Sequence, residues 1–317
     1  MNDSATFSVE DILRHELAQG DAVIASCGPI LRHLLANDEQ GLFGDEIIAR
    51  VRGMLGRVAR DMLYAQAEVA GVADKGGYAE KRAPALQAEL LADTGLLAHA
   101  QALVVEAQVA QRLRKRSNID PVLSPLLQEL MASSDPAMAS AAMGVLSAQA
   151  RFAQGVERMA LPLNELPGDL LHRALLLMRS AGEGAGDPAE HTEQAERAVR
   201  DGFDESRGRL GQISRLLTRM GDKAVKALDI DHAGVAIFAS ALAMASGQQR
   251  DLAVLSFTDR QFARLALALR AAGLPPREVE EQFLYLHPEI TMPEGFDGLR
   301  ADRAAALLAE EADHAFA

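Results

Sequence analysis

The chain has no tryptophan, 3 tyrosines and a single cysteine in 317 residues. The missing aromatics, together with few β-branched residues, remove the side chains that favour strands. Alanine and leucine, strong helix formers, take their place. An all-α protein is expected, and no convincing strand pattern appears along the chain. With Cys27 alone, no intrachain disulfide can form. The thiol stands between Ser26 and Gly28-Pro29, with His33 further on, and nothing marks it as activated. A small buried residue is the expectation there.

Lysine is sparse, at positions 75, 81, 115, 223 and 226. Acidic side chains outnumber basic ones by 45 to 32, a net charge of −13. That surplus repels polyphosphates and anionic lipids, so neither nucleic acid nor a membrane is an expected partner. Long apolar runs are missing too. The longest uncharged stretch, 233–249, is rich in Ala, Ser and Gly and falls short of the ~20 apolar residues of a membrane span. It reads as a buried core helix. The opening "MNDSATFSVED" is acidic and lacks a basic start and an apolar run, so no signal peptide is read there and a cytoplasmic location is expected. There is also no phosphate loop ending in Gly-Lys, no His-Glu-x-x-His and no Gly-x-Ser-x-Gly. No catalytic residue, cofactor or metal is expected, and the chain is read as not an enzyme.

What is present is helix grammar. Phe7-Ser8 followed by Asp11-Ile12 has the pattern of a hydrophobic staple and capping box, and Phe257-Thr258 followed by Gln261-Phe262 repeats it. Asp120-Pro121 and Asp135-Pro136 each place a capping Asp before a proline suited to the first helical position. Gly273 followed by Pro275-Pro276 reads as a stop and restart. Between these marks the apolar period is near 3.6, as in the stripe Ile47, Val51, Met54, Leu55, Val58 and Met62. The pattern predicts helices at 9–19, 22–36, 46–70, 79–92, 95–116, 121–133, 136–158, 168–180, 189–219, 232–246, 259–272, 276–286 and 299–314.

"AGEGAGDPAEHTE" at 181–193 reads as an interdomain linker or long loop, and "GVADKGGY" at 71–78 as a short break. Three consecutive segments are therefore expected: an N-terminal helical segment over 1–75, a HEAT-like helical domain over 78–181 and a C-terminal helical domain over 187–317. The HEAT-like element is the helix pair at 122–149, which cannot bury its apolar faces alone and must stack on neighbours. The architecture expected is one of irregular stacked helical hairpins.

Three stretches carry a resemblance. They are the proline-broken turn and Leu-rich helix "RMALPLNELPGDLLHRALLLM" (158–178), the small-residue helix of "GVAIFASALAMASGQQRDLAVLSF" (234–257), and "LALRAAGLPPREVEEQF" (267–283). Over about residues 95–290 their order resembles an uncharacterised all-helical alphaproteobacterial family, domain of unknown function 2336. The resemblance implies an α-helical, repeat-like fold. It implies no activity, since no catalytic residues of that family are available to carry over.

Several residues could carry chemistry. His15, in "DILRHELAQGD", falls off the apolar face formed by Val9, Ile12, Leu13 and Leu17. Exposure and the His-Glu-Leu order suit a phospho-acceptor. The following Ala18, Gln19 and Gly20 fit neither a kinase H-box nor a phosphotransfer domain, and no ATP-binding lobe follows. Residues 267–283 also have the outline of a helix-turn-helix, but Glu278, Glu280 and Glu281 against one Arg277 would repel phosphates. The basic cluster "RLRKRS" (112–117) closes a predicted helix, where cations offset the negative end of the macrodipole. Glu310, Glu311 and His314 share a helix at metal-ligand spacing, but one such unit near the chain end reads as a polar terminus. Asp229, Asp231 and His232 read as a turn and cap.

The leading expectation is a non-enzymatic cytoplasmic helical protein that binds another protein as a regulator or scaffold, homo-oligomer not excluded. The alternative is a histidine phosphotransfer protein using His15. A third possibility is small-molecule sensing in a cavity between helices.

Overall fold

The computed structural model describes residues 8–36, 45–184, 188–258 and 261–315, with the side chains of residues 27–29, 32–36, 45 and 311–315 outside that description. Among the described residues there are fifteen α-helices, four short 3-10 helices and no strand. The fold is all-α, as the composition requires.

The chain divides into two compact units, each assembled from separated stretches. Unit 1 comprises Met1–Cys27, Val105–Met143 and Leu216–Ala317, and unit 2 comprises Gly28–Val104 and Gly144–Arg215. The three consecutive segments read from the sequence do not coincide with this division. The reason is that residues far apart in the chain share a core: Gln261 donates from Nε2 to the carbonyl of Gly20 at 2.7 Å, within unit 1.

In unit 2, α2 (Asp45–Val69) packs against α3 (Lys75–Ala92), α7 (Gly168–Gly184) and α8 (Ala189–Gly202). Of the stripe on α2, Val51, Met54, Leu55, Val58 and Met62 are buried, and Ile47 near the helix start is half-buried. Asp93 accepts from Arg173 at 2.6 and 3.0 Å, tying the start of α4 (Thr94–Ser117) to α7. Glu196 on α8 accepts from Arg200 one turn on, at 2.7 Å, and from Arg179 on α7. Burial raises its pKa, but the hydrogen bonds from Arg200 and Arg179 outweigh that and hold the carboxyl below its ordinary value.

Of the stretch 181–193, read as an interdomain linker or long loop, residues 181–184 and 189–193 are helical and 185–187 lie outside the described residues. Helix α7 runs through Gly184 and α8 begins at Ala189, and the two helices pack within one unit. The single helix expected over 189–219 is broken. After α8 comes a 3-10 turn, Glu205–Arg207, and then α9 (Arg209–Met220). Gly208 explains the break. A Cβ there would lie 2.2 Å from the carbonyl oxygen of Asn164, so only glycine lets the two backbones meet. Arg209, the next residue, is fully buried, with its guanidinium 3.5 Å from the centre of the Phe152 ring and Nη1 donating to Gln149 at 3.2 Å.

In unit 1, α11 (Val235–Ser246) is the core helix, with every residue from Val235 to Ala243 buried. The 3-10 helix Gly221–Leu228, α12 (Arg250–Leu255) and α13 (Phe262–Ala271) pack on it. Gly234, at φ +72°, separates α11 from the one-turn α10 (Ile230–Ala233), so the helix expected over 232–246 is two. Helix α5 (Pro125–Met131) packs on α10, α14 (Pro276–Leu286) on α13, and α15 (Ala301–Ala315) on α13.

The capping expectations divide. Ser8 Oγ accepts from the Asp11 amide at 3.2 Å and its hydroxyl donates to the Asp11 carboxylate at 2.7 Å, while Phe7 lies outside the described residues. Asp135 accepts from the Ala137 amide at 2.9 Å, opening α6 (Pro136–Glu157). Asp120 instead closes a turn onto Val122 and Leu123, and Ser124 before Pro125 is the cap of α5. Thr258 does not cap: its hydroxyl donates back to Leu255, while Gln261 reaches across to Gly20. That same contact explains why α1 (Val9–Ala36) runs unbroken through Gly20, where two helices were expected. A Cβ on Gly20 would fall 2.7 Å from Gln261 Oε1, so the glycine serves close packing and not a stop.

Candidate functional site

The third stretch of unit 1 builds an apolar recess. Gly221, at φ +54°, ends α9 and starts the 3-10 helix that carries Ala224, Val225 and Leu228. That helix lies on α11, which contributes Ala241, Met244 and Ala245. Leu217 of α9 and Ala272, just past α13, complete the wall. The recess encloses about 270 Å³, and all eight lining side chains are apolar.

Its shape follows from residue size. Leu217, Leu228 and Ala241 are buried and form the floor. Alanines at 224, 245 and 272 leave room that larger side chains would fill. At the rim, Val225 is 61% and Met244 51% exposed. Exposed large apolar groups around a hollow are more informative than scattered ones. Methionine suits such a rim because its unbranched side chain adapts to different surfaces. The same 3-10 helix carries exposed Lys223 and Lys226, the latter 3.4 Å from Glu129. No titratable group lines the recess, so it can bury apolar side chains but cannot move a proton. Covering one Leu- or Phe-sized side chain there is worth roughly 1.5–3 kcal/mol.

The residues singled out from the sequence lie elsewhere. His15 is exposed on α1, with its Nε2 2.8 Å from the side-chain amide of Gln19 one turn later. Glu310 pairs with Arg303 at 3.2 Å and Arg14 at 3.6 Å; the side chains of Glu311 and His314 lie outside the described residues, as does that of Cys27. Among the described residues no three His, Cys, Asp or Glu side chains converge as a metal site would require. Asp229 caps α10 by accepting from the Asp231 amide at 3.1 Å, as the turn reading anticipates, and His232 lies 3.5 Å from Glu129. Burial, followed by the charges of Asp231, Asp229 and Glu281, pushes the hydroxyl of Tyr285 on α14 up from its ordinary value.

Two further stretches resolve structurally. In 112–117, Arg112 donates to the carbonyl of Phe257 at 3.3 Å and Arg116 to that of Leu284 at 2.6 Å, so two of the cluster's cations tie α4 to the turn after α12 and to α14. In 267–283, Gly273 at φ +94° ends α13 and Pro276 opens α14, with Val279 and Phe283 buried. Among the described residues, no single helix is long and apolar enough to cross a membrane.

The recess was not visible in the sequence. Its residues come from four elements between 217 and 272, and the one local signal was the small-residue character of 233–249. No protein family, curated protein or solved structure matches the chain.

Proposed function

We propose that this chain is a non-enzymatic cytoplasmic helical protein that binds another protein, as a regulator or scaffold. The observation that carries the reading is the all-apolar recess rimmed by exposed Val225 and Met244. A helix presenting one or two large apolar side chains matches its size and its lack of polar groups. The flanking Lys223 and Lys226 favour acidic residues beside those anchors. Neither nucleic acid, membrane, metal nor cofactor has a part in this proposal. The resemblance to domain of unknown function 2336, and the HEAT-like character read at 122–149, are consistent with stacked helices serving as a binding scaffold.

The test is affinity capture of the full chain, tagged and at native expression level, from its native host. A partner recovered with the native sequence and lost with the pair Val225→Asp and Met244→Asp is the expected result. Recovery of the chain alone contradicts the reading. Recovery of an untagged second copy alone, lost in the same variant, makes the recess a contact between copies.

Exposure of His15 favours phosphotransfer as a second reading. Incubation with labelled phospho-donor kinases of the host tests it: label on the native chain and none on His15→Gln supports it, and no label on the native chain ends it.

A further inference from the structure

Unit 2 holds a second hollow of opposite character. Arg57 and Arg60 of α2, Arg151 of α6 and Arg158 just past its end line one cleft of about 350 Å³. Gln154 is its other polar side chain, and no carboxylate lines it. In a chain of net charge −13, four guanidinium groups around one cleft run against the overall balance. We propose that this cleft binds a small organic phosphate monoester.

The charges are not used up locally. Arg57 pairs with Asp61 one turn on, at 2.9 Å. Among the described residues, Arg60, Arg151 and Arg158 have no carboxylate at ion-pairing distance. Helix-end electrostatics accounts for Arg158 at most, since it follows the C-terminus of α6. Arg57 and Arg60 sit mid-helix on α2, where the macrodipole offers them nothing.

The walls are fixed by a close approach. A Cβ on Gly53 of α2 would lie 2.5 Å from the Cβ of Met159, so the turn after α6 rests directly on the α2 backbone. Met159 holds φ +53°, a left-handed conformation unusual outside glycine, and the Ala160 amide donates to Gly155 at 2.8 Å. This packing brings Arg151 and Gln154 of α6, with Arg158 in the turn that follows it, beside Arg57 and Arg60.

Guanidinium forks match phosphate oxygens two at a time, which a lysine cluster would not do. The volume exceeds what a bare phosphate needs and falls at the lower end for small-molecule sites. Met159, Ala160 and Pro162 supply an apolar wall for the organic body. A long polyanion is disfavoured because the rest of the chain is acidic.

The site stands apart from the apolar recess, and its test does not depend on that reading. Titration calorimetry on the full chain would use inorganic phosphate, glucose 6-phosphate, glucose and a phosphoserine peptide. We expect saturable binding of phosphate and glucose 6-phosphate in the millimolar range or tighter, and none of glucose. Arg60→Gln with Arg151→Gln should weaken glucose 6-phosphate about tenfold or more, while the same pair changed to Lys retains part of the affinity. Arg60 and Arg151 are both exposed, and an unchanged melting temperature without ligand is the check that each variant folds. No saturable binding of glucose 6-phosphate, or equal binding by the Gln variant, overturns the proposal. Tighter binding of the phosphoserine peptide overturns the small-molecule assignment in favour of a phosphorylated protein.

Discussion

Arg250 on α12 donates to the carboxylate of Glu106 on α4 at 2.8 Å, and the carboxylate is almost wholly buried. The same guanidinium donates from Nε to Ser240 at 2.8 Å, so it fastens the core helix α11 to its neighbour as well. Two charges removed from water together tolerate each other; one left alone does not. Glu106→Ala is expected to destabilise the protein by about 3–5 kcal/mol, the usual cost of orphaning one member of a buried pair. A fall in the urea midpoint at unchanged slope would register it.

Glu196 gives the acid side of the stability profile. Its folded pKa is depressed, chiefly through hydrogen bonds from Arg200 and Arg179 that outweigh the opposing effect of burial. A carboxyl of that kind stabilises the fold at pH above its unfolded value of about 4.3, and the contribution disappears as pH falls through the lower folded value. The urea midpoints of the native chain and Glu196→Gln should therefore differ near neutral pH and converge in acid. A gap that stays constant down to the acid transition would contradict this.

Tyr285 can be read directly because there is no tryptophan and only Tyr64 and Tyr78 accompany it. Burial and the neighbouring Asp231, Asp229 and Glu281 favour its neutral form. In an alkaline absorbance titration Tyr285 should ionise above the ordinary value of about 10. Asp231→Asn should bring that step down.

The sequence made the local helices legible and hid most of what assembles them. Val51, Met54, Leu55, Val58 and Met62 announce a buried stripe by spacing alone, and Asp135 and Gly273 announce helix ends by residue type. These signals are local, and local geometry decides them. Gly20 reads as a stop because nothing nearby shows that Gln261 will lie against it. Gly182 and Gly184 read as a linker because of their low helix propensity, which the packing of α7 on α8 overrides. Both hollows depend on such long-range meetings. Arg57 and Arg60 join Arg151 and Arg158 only through the approach of Gly53 to Met159. Exposed His15 draws the eye as a motif, and the side-chain amide of Gln19, one turn on in its own helix, lies beside its ring nitrogen.

The recess itself offers the most direct measurement. Ala245 lies on its wall and is exposed, so Ala245→Leu fills the hollow from outside without disturbing the core beneath. The partner captured by the native chain should be recovered at no more than roughly a tenth of its former yield by this variant, the loss matching the 1.5–3 kcal/mol of one excluded apolar anchor. Undiminished recovery, with the variant folded as the native chain is, would mean that the partner binds elsewhere and would contradict the account.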